Sequence, residues 1–235
     1  MRSLAEQSVA ELGGPVSVLT RQKRDHVKLN RLLDELQATE PVAQDRVLRR
    51  IYRLVFPHAF AEESVLWPVI RRVLPEGEQL TLQVEQEHQE VNELVTQLEQ
   101  MPLDAPERPA TLARLVEVLN EDVRDEEDQL LPRLQEAVDV TELRRLGVAW
   151  EALRRTAPTR AHPVVARRPP GNVVAALPLS VLDRMRDGVD FGLQHAPGSA
   201  RPALETASRS LTRVAHRIEH APPMKSGEDP STHRG

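Results

Sequence analysis

The sequence predicts an all-α fold, an up-and-down four-helix bundle followed by a C-terminal helical extension. Three observations carry this expectation. Apolar residues recur at helical spacing through four long segments of the first 138 residues. The breaks between those segments are short and rich in Gly and Pro. No apolar alternation of period two runs long enough to make a useful strand. Long helices joined by short loops make antiparallel neighbours.

The elements follow in order. Residues 1–15 hold a short amphipathic helix, Leu4 to Leu12, ended by Gly13, Gly14 and Pro15. Pro15 suits a first helical turn and opens the first bundle helix, which runs to about Leu36 with Val18, Leu29, Leu32, Leu33 and Leu36 at roughly helical spacing. The second runs from about Pro41 to Val73, with Ile51, Leu54, Val55, Val65, Leu66 and Val69 inward and a kink expected at Pro57. The third, about Leu80 to Leu98, aligns Leu82, Val91, Leu94, Val95 and Leu98. After the Pro-rich loop 101–109, the fourth runs from about Ala110 to Val138 with Leu112, Leu115, Val116, Leu119, Leu130 and Leu131. The bundle is thus expected over 16–138 and a helical extension over 139–221. Within the extension, helices are expected near 141–155, 180–192 and 201–219, with an extended connector over 157–178. Residues 222–235, polar and rich in Pro and Gly, are expected to be a disordered tail.

Composition excludes several classes of function. The 235 residues include no cysteine, so disulfides, zinc fingers, thiolate-bound clusters and cysteine nucleophiles are ruled out. Acidic and basic residues are interspersed and the net charge is −5, which is no nucleic-acid footprint. No apolar run approaches the ~18–20 residues that cross a bilayer, and the N-terminus lacks the apolar core of a signal peptide. A cytoplasmic protein is expected. The basic residues are almost all Arg, with Lys only at 23, 28 and 225, a bias that fits a GC-rich bacterial genome. The six aromatic residues are Tyr52, Phe56, Phe60, Trp67, Trp150 and Phe191, so the core must rest mainly on Leu, Val and Ala.

The histidines carry the chemistry. His26, His58, His88 and then Asp122 recur at intervals of 32, 30 and 34 residues. Each interval is one trip from mid-helix round a loop and back at ~1.5 Å per residue, which sets four polar residues, one per helix, at a common height. Two of them have a carboxylate one turn later: HAFAEESVLWP (58–68) and DVRDEEDQLLP (122–132) align without gaps, matching His58 to Asp122, Glu62 to Glu126 and Glu63 to Glu127. Residues four apart share a helix face, so His58 with Glu62, and Asp122 with Glu126, can point inward together. Three imidazoles and three carboxylates buried together are costly without a counter-charge. A pair of metal ions removes that cost, since carboxylates bridge two metals and imidazoles suit iron.

This pattern resembles the hemerythrin-like HHE cation-binding family: a lone His, a His-x-x-x-Glu, a second lone His and a second His-x-x-x-Glu, within a twice-repeated EExxLxP context, over about residues 16–137. The resemblance implies a hemerythrin-like bundle holding two non-haem iron ions, with His26, His58, Glu62, His88, Asp122 and Glu126 as metal ligands and Glu62 and Glu126 as bridges. Two departures stand out. Asp122 replaces the fourth bundle histidine, and the positions one turn either side of His88 are Val84 and Asn92, where oxygen-carrying members have a His-x-x-x-His. One metal would have His26 and His58, the other His88 and Asp122.

The implied function is that of a di-iron protein reacting with O2, peroxide or NO. The alternatives are a sensor or storage module without turnover and a metal-free interaction protein, and the sequence leaves enzymatic turnover open. Expected partners are a small diatomic or peroxide ligand, with no nucleic acid and no membrane, and a second copy of the chain through the C-terminal extension. Around the site, Glu63 and Glu127 lie ~100° round from the ligand face and read mainly as solvated. Glu85 reads as a surface carboxylate and Tyr52 as core. His162, His195, His216, His220 and His233 lie outside the repeat, and the pair His216/His220 reads as surface.

Overall fold

Gly13 and Gly14 both adopt positive φ, 91° and 97°, a conformation that glycine takes without steric cost. They reverse the chain so that the N-terminal segment lies back on the bundle and buries Leu4 and Leu12. The helix expected over Leu4–Leu12 is absent: Leu4–Glu6 makes one 3-10 turn and the remainder forms turns. A stretch this short cannot sustain an isolated helix, and Ser8 and Glu11 satisfy each other's backbone N–H groups instead. The computed structural model describes residues 1–227 and 229–232, without the side chain of residue 194; residues 228 and 233–235, including His233, lie outside the described residues.

Helix α1 spans Val18–Gln37, α2 Pro41–Ala61, α3 Trp67–Val73, α4 Gly77–Gln100, α5 Arg108–Asp125 and α6 Leu131–Ala137. Proline opens α2 and α5 in the first turn, where its missing N–H costs nothing. No strand occurs among the described residues. The second and fourth bundle helices each pass through a π turn, Glu62–Leu66 between α2 and α3 and Glu126–Leu130 between α5 and α6. In each, a backbone N–H reaches five residues back, from Trp67 to Glu62 and from Leu131 to Glu126. Pro68 and Pro132 follow directly. Neither can donate to the carbonyl four residues before it, and its ring would crowd that carbonyl. A turn widened by one residue relieves the conflict. Pro57 lies within α2, as expected, and the change of hydrogen-bond register comes a turn later, at Glu62–Leu66.

Two apolar layers sandwich the level of the histidines. One contains Leu29, Leu33, Ile51, Leu54, Val95, Leu115 and Leu119; the other contains Leu19, Leu66, Trp67, Ile70, Leu130 and Leu134. The second layer also includes Leu143, Leu146 and Trp150 from α7, Val140–Thr156. This helix packs on α1 and α2 at close range. A Cβ on Gly147 would sit 2.0 Å from the carbonyl oxygen of Val16. Residues 140–156, expected in the extension, thus share the bundle's core.

Beyond α7 a connector leads to α8, Gly171–His195, and α9, Arg201–Glu219, which pack along each other. Helix α8 begins earlier than its expected start near 180 and runs through Pro178. The segment expected as a disordered tail is structured over its described part. Pro222–Lys225 forms a 3-10 turn, and the carbonyls of Met224 and Ser226 accept from Ala166 and Gly171 at 2.9 and 3.0 Å. No helix of the described residues is long and apolar enough to cross a membrane.

Candidate metal centre

The bundle brings all six predicted residues to one level. His26 comes from α1, His58 from α2, His88 from α4 and Asp122 from α5, while Glu62 and Glu126 stand at the first positions of the two π turns. All but Asp122 are buried, and its side chain is 13% exposed. His26 Nε2 and His58 Nε2 face each other at 3.4 Å. Glu62 Oε1 lies 3.0 Å from His58 Nε2, and Glu126 Oε2 lies 3.1 Å from His26 Nε2. Their other oxygens turn the opposite way: Glu62 Oε2 and Glu126 Oε1 lie 3.7 and 4.0 Å from His88 Nε2, which is also 3.4 Å from Asp122 Oδ1. Two donor clusters result, one of His26, His58, Glu62 and Glu126, the other of His88, Asp122 and Glu126. Glu62 and Glu126 each offer one oxygen to either side.

These donors fit cations better than they fit one another. Both oxygens of Glu62, both of Glu126 and Oδ1 of Asp122 are buried without a hydrogen bond; the nearby ring nitrogens approach them, but out of line. Leaving buried carboxylate oxygens unpaired costs several kcal/mol each. The field of the carboxylates shows in the histidines. Burial opposes a charged His26 ring, yet Glu126 and Glu127 outweigh it and hold its pKa up at about 9. His58 and His88 are likewise raised well above the usual range against burial, chiefly by Glu62 and Asp25 in one case and by Asp122 and Glu63 in the other. Burial, then the charges of Glu62 and Asp122, push the Glu126 carboxyl up to about 7. Without metal the cluster retains protons, and a metal ion would take their place.

The remaining ring nitrogens are held by carboxylates that the helical wheel had turned outward. Glu63 and Glu127 are buried, not solvated. His26 Nδ1 donates to Glu127 Oε1 at 2.9 Å, and His88 Nδ1 donates to Glu63 Oε1 at 3.0 Å. The pairing crosses the repeat, since each lone histidine is held by the glutamate of the other repeat. The π turn is what admits two consecutive glutamates to the interior, and the Pro68 and Pro132 that accompany it were the signal in the sequence. Arg167, from the connector, approaches Glu63 Oε1 at 3.8 Å. His58 Nδ1 faces Asp25 Oδ2 at a looser 3.4 Å. The second repeat has Glu87 where the first has Asp25, but Asp122 where the first has His58. Glu87 consequently has no imidazole to hold. Burial and the charges of Asp122 and Asp125 push its carboxyl up to about 8.

Two tryptophans complete the walls. The Trp67 ring stacks on His88, 6.4 Å between centroids, and Trp150 meets His58 edge-on at 5.3 Å. A cavity of about 30 Å3 adjoins the donors, lined by His26, His58, His88 and Asp122 and by apolar residues that include Leu54, Phe56 and Leu119. Glu85, expected at the surface, is buried between Arg71 and Arg168, at 2.6 and 2.8 Å, and forms no hydrogen bond or ion pair with His88. Tyr52 packs in the core as expected. His195, His216 and His220 are exposed, whereas His162 is buried.

The comparisons with known proteins concern the same region. Residues 17–134 match the family model of the hemerythrin HHE cation binding domain. An uncharacterized hemerythrin-like protein of Schizosaccharomyces pombe is 28% identical over 131 residues, 55% of this chain and 64% of that protein. A DNA nickase of a Nostoc species is 28% identical over 133 residues, 56% of this chain and 37% of that protein. The chain thus spans less than two thirds of the length of either relative. No solved structure gives a significant match.

Proposed function

The chain belongs to the hemerythrin HHE cation-binding family, and on that premise we propose that it is a non-haem di-iron protein that reacts with O2, peroxide or NO. In this reading His26 and His58 hold one iron, His88 and Asp122 hold the other, and Glu62 and Glu126 bridge them. The observation that carries it is the placement of these two carboxylates, each with one oxygen toward either cluster, the arrangement by which carboxylates join metals ~3.5–4 Å apart. Iron bound there supplies electron transfer to a small ligand.

The residues do the rest. Glu127 and Glu63 fix the rings of His26 and His88, so that each presents Nε2 inward. The cavity beside the donors has room for a molecule of two or three heavy atoms, which selects a diatomic or peroxide over larger substrates. Its apolar wall favours such a ligand over a charged one. Asp122 places an anion where a neutral imidazole would otherwise stand, and a hard anionic oxygen favours the ferric state. That argues for reaction with the ligand over reversible carriage of O2.

Metal analysis of protein from iron-supplemented cells, followed by stopped-flow mixing of the reduced protein with O2, peroxide and NO, tests the reading. About two irons per chain and irreversible oxidation are expected. Reversible O2 binding would replace reaction by storage, and iron content near zero after anaerobic loading would sink the assignment altogether.

A further inference from the structure

Outside the six predicted donors, at the end of α9, three side chains with donor atoms share one face. His216, Glu219 and His220 stand three and four residues apart, the spacing that stacks side chains on adjacent turns. Their imidazole rings lie 4.1 Å apart between centroids. Glu219 Oε1 is 3.3 Å from His216 Nδ1 and 4.0 Å from His220 Nδ1, and one donor atom from each residue falls within 4.8 Å of the others. We propose that His216, Glu219 and His220 form a second metal site, which binds a single divalent transition-metal ion independently of the bundle centre.

The carboxylate is positioned in advance. Its Oε2 accepts from Nδ1 of His162 at 2.9 Å, and His162 is buried with its Nε2 on Asp183 Oδ2 at 3.1 Å. An imidazole hydrogen-bonded at both nitrogens to carboxylates cannot turn freely. Glu219 is therefore fixed with its second oxygen toward the two rings, as carboxylates beside metal ligands are fixed in known sites. His220 Nδ1 donates to the carbonyl of His216 at 2.8 Å, which makes Nε2 its lone-pair nitrogen. His216 is 68% exposed and His220 37%, so small rotations can bring their nitrogens into coordination.

Two imidazoles and one carboxylate suit Zn(II), Ni(II) or Cu(II). Three protein ligands on an exposed surface leave a position for water or a small anion. A groove of about 540 Å3, lined among others by His162, Arg186, Arg213 and Arg217, runs beside the cluster and gives that position access to solvent.

The test uses Zn(II) in equilibrium dialysis with the full chain and with Glu62→Gln/Glu126→Gln, which disables the bundle centre. The disabled chain is expected to retain about one Zn(II). Adding His216→Ala/His220→Ala should lower its affinity at least tenfold. With Cu(II), the disabled chain should give an electron paramagnetic resonance spectrum with nitrogen hyperfine structure, absent after both histidines are replaced. In case the disabled chain fails to fold, the exposed pair is also replaced in the otherwise unchanged, iron-loaded protein, where Zn(II) bound should fall by one per chain with iron unchanged. Zn(II) binding that is indifferent to His216 and His220 in these experiments, or no zinc bound by the folded disabled chain, would overturn the proposal.

Discussion

On the proposed di-iron reading, the crossed pairing of Glu127 with His26 and Glu63 with His88 makes a prediction that separates the two metal positions. A buried hydrogen bond to a charged group contributes ~1.5–3 kcal/mol, which corresponds to roughly 10- to 150-fold in affinity. The same range is typical when a carboxylate behind a metal-binding histidine is lost. Glu127→Ala should therefore weaken the iron beside His26 by that factor, and Glu63→Ala the iron beside His88. Glu63 is 2% exposed and Glu127 9%, so Glu63 should lie nearer the upper end. Replacement by Gln keeps a neutral acceptor and should cost about half as much, ~1 kcal/mol or about fivefold. The assay is anaerobic Fe(II) equilibrium dialysis over a double-mutant cycle. Once His26 is replaced by Ala, Glu127→Ala should have little further effect, whereas in a His88→Ala background its cost should remain in full. The converse holds for Glu63. Additive costs for Glu127 and His26, with coupling of Glu127 to His88 instead, would refute the pairing and the argument built on it.

Other outcomes follow from the same geometry. Glu62→Ala should abolish the iron-dependent rise in melting temperature, which at a hundredfold excess over Kd amounts to ~2.7 kcal/mol, or roughly 5–11 °C for a chain of this size; calorimetry with and without iron checks it. Asp122→Ala should leave about one iron per chain by metal analysis. Asp122→His should raise the reduction midpoint measured by spectroelectrochemistry, because it removes an anion from the second position and offers Glu87 an imidazole to hold, as Asp25 holds His58. Trp67→Ala should cost about 3–5 kcal/mol, since Trp67 is fully buried, seen as a drop of roughly 6–20 °C in thermal denaturation. Gly147→Ala should cost about 1–3 kcal/mol, read from a denaturant midpoint, because its Cβ meets the backbone of Val16. A midpoint equal to wild type would contradict the close approach of α7.

Helical periodicity and the spacing of His26, His58, His88 and Asp122 were enough to place four helices and to bring six donor residues to one level. Both follow from distances along a helix, which are local. Glu62 and Glu126 could be read for the same reason, since a residue four beyond His58 or Asp122 shares its face. Glu63 and Glu127 could not be read that way. A wheel at 100° per residue turns them outward, and only a π turn, with its hydrogen bonds displaced by one residue, admits both members of each Glu-Glu pair. Pro68 and Pro132 mark where such a turn relieves strain, but the hydrogen bonds that draw Glu127 to His26 and Glu63 to His88 run between helices far apart in sequence. The same holds at the ends of the domain. The pattern of Leu4 to Leu12 is amphipathic, yet the segment folds as turns, because burial of Leu4 and Leu12 against the bundle is won without helix formation. Helix α7 was legible as a helix, but its membership of the core depends on a backbone contact at Gly147 with a segment about 130 residues earlier. Local periodicity determined which residues could share a face; tertiary packing decided which hydrogen-bond register each long helix adopts and which carboxylate stands behind each histidine, because those choices are made by partners that only the folded chain brings together.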